Sequence, residues 1–348
     1  MRIVIIGGGI MGCSTALSLG QRGAEVRLLE RSVPGAEASS AAAGILGAQI
    51  EGHEPGATFD RCLRARTGYG PWANELRAAT GIDVGYRKCG VLKVGTSDAE
   101  LGALRDMVTW QAKAGLRAEM LDGAGVRAVE PPLSDAVRGG AYFPDDAQID
   151  PPTLLRALVA LLARMPNVHV ESGQTVRGVR VEGDRCVGVD LGDETVTADA
   201  TVLAAGSWSS LVPGLPKDLP EVKPVRGQMV LLEERPPSVR TVVFGAGGYI
   251  VPRGDGRVIC GSTMENVGYR REVTADGLLG LLRTATTLVP RLGAAQVGPA
   301  WSNFRPFASS PMIGASLLPG LFLATGHHRN GILLAHDTGE EVARAILG

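Results

Sequence analysis

Gly7, Gly9 and Gly12 punctuate the run Gly7-Gly8-Gly9-Ile10-Met11-Gly12, which follows directly on the apolar Ile3-Val4-Ile5-Ile6. Glycines at this spacing after a strand serve to hold a pyrophosphate. The first permits a tight turn, the second lets the backbone approach the phosphates, and the third lets the following helix pack against the strand. The helix N-terminus then presents unpaired N–H groups and partial positive charge to the anion. Eighteen residues past Gly12 a second apolar run, Val26-Arg27-Leu28-Leu29, ends in Glu30. A carboxylate there accepts hydrogen bonds from ribose hydroxyls. Strand, turn, helix, strand and acid are all in order, so the segment reads as a dinucleotide site. The pattern does not itself separate NAD from FAD.

Other chemistry is absent or weak. The five cysteines (Cys13, Cys62, Cys89, Cys186, Cys260) are scattered, odd in number and without a CxxC pair, so reduced, mostly buried thiols are expected. Adjacent His327 and His328 sit on a turn, where neighbouring side chains diverge, and no acid cluster accompanies them, so no metal site is expected. His53-Glu54 reads as a surface loop. A net charge of −1 argues against nucleic acid as a partner. No apolar stretch reaches the ~18 residues of a membrane span. The chain begins inside its first strand with no charged leader and apolar segment, so a cytoplasmic protein is expected.

The elements that must position these residues follow from periodicity. Helices are expected over 13–22, 58–79, from Asp98 as cap to Lys113, and from Asp150 as cap with Pro151 in the first turn to about Arg164. Strands are expected at 87–95, Val168 to Val170, Val176 to Asp190, Glu194 to Ala198, and from Ala200 into Ala204-Ala205-Gly206-Ser207-Trp208. The runs Gln228–Leu232, Val239–Phe244, Tyr249–Pro252 and Val258–Cys260, separated by short turns, predict an antiparallel sheet. A helix at about 275–289, a strand at 297–308, a last strand at 321–324 and a final helix complete the chain, with no internal repeat or low-complexity linker. Residues 35–47 are small and suit either a flexible loop or a segment lying flat against a ligand. Three glycine-rich strand ends, near residues 7, 205 and 326, would together make one extended groove, a length that a cofactor with a large second half such as FAD requires.

These stretches resemble the flavin amine oxidases, a family that includes D-amino-acid oxidase, sarcosine oxidase and the glycine oxidase of thiamine biosynthesis. The similarity rests on Ile5 to Gly12, Leu29-Glu30-Arg31, Ser39 to Gly47, Ala204 to Trp208, Val225 to Gln228, Gly248 to Arg253, Gly261 to Met264, Arg305-Pro306 and Gly326 to Leu334, in the family's order. The last of these is closest to the glycine-oxidase branch. The resemblance implies an α/β fold, with a Rossmann-like FAD-binding domain of the glutathione-reductase type (residues 1–86, 145–215 and 309–348) and an inserted antiparallel-sheet substrate domain (87–144 and 216–308). It implies non-covalent FAD, since no cysteine lies in 305–316, where the sarcosine-oxidase branch carries one.

By the same similarity, Gly7, Gly9, Ile10, Met11, Gly12, Glu30, Arg31, Ala38, Ser39, Ser40, Ala43, Gly44, Ile45, Val176, Ala205, Gly206, Trp208, His327, His328, Arg329, Asn330, Gly331, Ile332 and Leu333 hold FAD. Arg305 binds the substrate carboxylate, Tyr249 helps with its hydroxyl, Arg329 lies close to both carboxylate and flavin, and Met264 lines the pocket. A planar guanidinium binds a carboxylate bidentately and so fixes orientation as well as charge. The implied reaction is oxidation of a small amino acid or amine, with O2 as acceptor and imine and hydrogen peroxide as products. An imino-acid or secondary-amine dehydrogenase feeding a quinone, and a flavin-bound partner protein without turnover, are the alternatives. Ile50, Gly247, Phe304 and Phe307 to Ser310 depart from the family's pattern around the pocket and leave the side chain of the substrate open. A homo-oligomer is compatible with all of this.

Overall fold

The computed structural model describes residues 1–245 and 247–348. Its centre is one continuous 13-stranded sheet. Five parallel strands form one half, in the order Leu321–His327, Ala200–Leu203, Arg2–Ile6, Glu25–Glu30 and Val168–Ser172. Their near-continuous apolar runs reflect burial on both faces. Ile3 and Ile5 join the core beneath helices Ile10–Gln21, Ala57–Thr80, Pro151–Leu162 and Gly331–Leu347, while Val4 and Ile6 face a small three-stranded sheet carrying Val179, Val189 and Val196. The alternation is the two-residue period of a strand.

The other half joins this one edge to edge, because the 20-residue strand Gln296–Ala315 pairs antiparallel with both Lys223–Glu233 and Leu321–His327. Arg257–Gly261, Gly248–Pro252 and Val242–Gly245 continue it, antiparallel as expected. Val242–Gly245 then pairs parallel with Val91–Gly95, which the antiparallel expectation did not include. On this half Val230 and Ile250 pack toward helix Ala275–Leu288, whereas Met229 and Tyr249 turn to the opposite face. The strand expected to end at 308 runs on to Ala315, straight through the 308/309 division. The helix from Asp98 is capped by Ser97 rather than Asp98, in a reciprocal box with Glu100. Asp150 caps helix Pro151–Leu162 as expected, through Thr153 N–H. Among the described residues no helix is long and apolar enough to cross a membrane, and all five cysteines are free thiols.

Candidate active site

Parallel pairing brings the C-terminal ends of Arg2–Ile6, Ala200–Leu203 and Leu321–His327 side by side, where ligands of such sheets bind. A single cavity of about 340 Å3 runs across these ends to the antiparallel half. Gly7 has φ +105°, and a Cβ there would meet the Ala204 carbonyl oxygen at 2.7 Å. A Cβ on Gly12 would collide with the Gly7 carbonyl, so both glycines serve the turn and the helix packing. Gly9 differs: a Cβ there meets only Ser39 Oγ, at 3.3 Å, and otherwise open cavity. Helix Ile10–Gln21 has no side-chain cap on its Gly9 N-cap, although Ile10 N–H donates to Ser39 Oγ at 2.9 Å. Its positive end therefore stands free for an anion. Glu30 accepts from Gly8 N–H at 2.8 Å and Ser32 N–H at 2.9 Å, and its remaining lone pairs border the cavity. These features fit a dinucleotide.

Gly9→Val should consequently weaken FAD binding far more than folding. The test is the melting temperature of the variant with and without added FAD: an equal loss in both states would mean that Gly9 matters only for packing.

The small-residue segment is anchored rather than loose. Trp301 Nε1–H donates to the Ala41 carbonyl at 3.0 Å, and Arg253 donates to the carbonyls of Ala43 at 2.6 Å and Ile149 at 2.9 Å. Next to it, the buried Asp146 carboxylate accepts from Gln49 and Ile50 N–H and pairs with Arg66 at 2.7 Å. This fixes Glu51, which follows immediately. Glu51 takes both Nε and Nη2 of Arg329. Arg329, expected near the substrate carboxylate, is thus already neutralised. Glu51 lines the cavity and was not read from the sequence; an acid at the end of a small, ligand-facing segment was the available signal.

Arg305 is different. Its guanidinium donates to Ser262 Oγ at 2.6 Å and to the Thr263 carbonyl at 3.2 Å, and among the described residues it has no carboxylate partner. Burial pushes its pKa below the ordinary arginine value and the Arg329 charge adds to this, while Tyr249 and Glu51 act in the opposite direction. Tyr249 is buried and lines the same end of the cavity.

Of the other expected residues, Ile10, Met11, Arg31, Ala38, Ser39, Ala43, Gly44, Ile45, Val176, Ala205, Gly206, Trp208, His327, His328, Asn330, Gly331 and Ile332 border the cavity. Four do not. Gly12 lies behind Gly7, Ser40 is not part of the cavity lining and its Oγ lies beside Gly35, Leu333 is 1% exposed in the helical core, and Met264 is 58% exposed to solvent. Met264 follows the last residues of its strand on a segment that leaves the sheet, so a pocket-lining position does not hold for it here. His327 donates to or accepts from Thr338 Oγ1 at 2.9 Å through Nε2, and Nδ1 has no partner among the described residues. Burial lowers its pKa to about 3. His328, the non-glycine residue with φ +48°, is lowered to about 4 by burial and then by Arg305 and Arg329. Both imidazoles are neutral at pH 7.

The fold and this cavity define a dinucleotide-binding protein of the α/β type. The chain belongs to the FAD dependent oxidoreductase family, which matches residues 2–345. It is 36% identical to the bifunctional protein ThiO/ThiG of Nostoc sp. over 99% of its own length and 52% of that protein's. It is 34% identical to the glycine oxidase of Geobacillus kaustophilus over 99% of this chain and 92% of that one. The crystal structure of glycine oxidase from Bacillus cereus superposes with a TM-score of 0.93 at 31% identity, covering 99% of this chain and 94% of the other. The chain thus spans about half the length of the bifunctional relatives, and nearly all of the glycine oxidases.

Proposed function

We propose that this protein oxidises a small α-amino acid, or a related amine bearing a carboxylate, using non-covalently held FAD. The observation that carries the reading is Arg305, a part-buried guanidinium on the cavity without an acid of its own among the described residues. An arginine so placed calls for an anionic ligand. Its fork takes the substrate carboxylate, the Tyr249 hydroxyl adds a hydrogen bond, and Arg329, held by Glu51, shapes the wall without competing for the anion. FAD, when bound, accepts the hydride lost from the substrate α-carbon. The protein's share is orientation, exclusion of water and fixed charge. The substrate reacts as the neutral amine, so turnover rises with pH. Dioxygen is the acceptor we favour, giving imine and hydrogen peroxide. The glycine oxidases it resembles, matched along nearly their full length, support this over a dehydrogenase.

We also propose the division into an FAD part (1–86, 145–215, 309–348) and a substrate part (87–144, 216–308), with the retained resemblance-derived residues serving FAD. Free thiols and the lack of a membrane-crossing helix among the described residues suit a cytoplasmic enzyme, and a homo-oligomer is compatible with it. The experiment is direct. The purified protein should be yellow and release free FAD on acid treatment. Small amino acids should bleach the flavin anaerobically, and air should restore the colour with formation of peroxide. Flavin that stays on the denatured chain refutes non-covalent binding; bleaching that air does not reverse moves the acceptor to a quinone.

A further inference from the structure

The segment 262–274 leaves the antiparallel half and reaches the wall of the cofactor cavity. It is held from below: Arg226 and Glu265 exchange backbone hydrogen bonds, Ser302 Oγ–H donates to the Arg271 carbonyl, and the Tyr269 hydroxyl donates to the Ser207 carbonyl at 2.6 Å. Tyr269 stacks on the cavity-lining Trp208 with ring centres 4.4 Å apart and an interplanar angle of 24°. The Arg31 guanidinium lies over the same Trp208 ring, 4.1 Å from its centre. Arg31 also pairs with Glu37 at 2.6 Å, and the second oxygen of Glu37 pairs with Arg271 at 2.6 Å. The circuit is closed. It runs Arg31, Trp208, Tyr269, Arg271, Glu37 and back to Arg31, and it joins three dinucleotide-half segments to one from the other half.

Two features give the ring a function. Arg31, Glu37 and Trp208 all border the cavity, and Trp208 Nε1–H has no acceptor among the described residues. The ring's charges sum to +1 beside a site whose expected occupant carries a pyrophosphate. We propose that this ring is a clasp that retains the cofactor: FAD leaves only when the Arg271–Glu37 link opens and segment 262–274 lifts from Trp208. The inference rests on FAD as the occupant, not on the substrate. Because the ion pairs are part-exposed, with side-chain exposures of 40%, 30% and 48% for Arg31, Glu37 and Arg271, salt weakens the clasp.

The test measures the rate at which FAD fluorescence appears after dilution of the holoprotein, at low salt and at 1 M NaCl, for wild type, Glu37→Gln and Arg271→Gln. At low salt Glu37→Gln, which breaks both part-exposed ion pairs, should release FAD roughly five- to tenfold faster, and Arg271→Gln, which breaks one, roughly two- to threefold faster. High salt should accelerate the wild type and bring all three rates together. Equal rates at low salt overturn the proposal. So does a gap that persists at 1 M salt, or a variant whose melting temperature falls as much in the apoprotein as in the holoprotein, since either marks a purely structural tie. A preparation that takes up no FAD overturns the cofactor reading as well, and is recognised by its lack of colour.

Discussion

Arg305→Ala lowers kcat/KM for amino-acid oxidation by roughly 10²–10⁴, with FAD content held equal to wild type. Each charge-assisted hydrogen bond from a guanidinium to a carboxylate contributes about 1.5–3 kcal/mol, and the substrate is expected to make two. The protein itself loses only the donations to Ser262 and Thr263, so folding should be affected far less than turnover. Arg305→Lys recovers part of the loss, because an ammonium supplies charge but not the planar fork. Carboxylate inhibitors lose affinity in parallel, whereas amines lacking a carboxylate are little affected. Near-wild-type oxidation together with undiminished inhibitor binding would show that the carboxylate is held elsewhere. Arg329 is the next candidate, although its pairing with Glu51 would first have to break.

Acid destabilises the FAD-free protein through His327. Its folded pKa is depressed to about 3, chiefly by burial and then by the Arg61 charge, whereas an unfolded histidine titrates near 6.5. Between these values the unfolded chain binds the additional proton, so stability rises with pH across this window and is lost as pH falls below about 6.5. At pH 5 the loss from this residue is about 2 kcal/mol relative to pH 8. Unfolding free energies of wild type and His327→Gln, measured by urea titration at both pH values, give the check. Glutamine can still hydrogen-bond Thr338 but does not titrate, so the wild-type curve should be the steeper by that amount. Parallel curves would mean that the imidazole is protonated in the fold or that another group sets the acid limb.

The dinucleotide half was legible because several local signals agree there: the glycine spacing, the unbroken apolar run Ile3 to Ile6, and the Asp150-Pro151 helix start. The antiparallel half was legible in its strands but not in its joins. Strand Gly139–Phe143 was not among the expected strands, and it opens on Gly139 and Gly140. A Cβ on Gly139 would meet the Leu121 carbonyl and one on Gly140 the Lys93 carbonyl, so glycine is there for close backbone approach, which periodicity cannot register. The strand expected at 297–308 runs on to Ala315 because its partner there, Leu321–His327, is supplied by later chain and takes up Met312 to Ala315 after an irregularity past Phe307. Within the site, the glycines and Arg305 carried a signal of type and spacing. The Glu51–Arg329 pair spans 278 residues and depends on Asp146 to aim it, information that no local window contains. The clasp escaped for the same reason, since Glu37 and Arg271 are 234 residues apart.

The edge-to-edge sheet has a consequence for biosynthesis. The first strand, Arg2–Ile6, finds its neighbour Glu25–Glu30 as soon as both have left the ribosome, but its other neighbour, Ala200–Leu203, appears some 200 residues later, and that strand's outer partner, Leu321–His327, later still. Strand Leu321–His327 is also what stitches the antiparallel half on. Nascent chains shorter than about 330 residues therefore present open strand edges and an unfinished groove, and are the species most exposed to mispairing and to chaperones. The cofactor cannot act as an early template for folding. It can only select and lock chains whose last parallel strand is already in place, so flavin supply should govern how long the finished protein survives rather than how fast it is made.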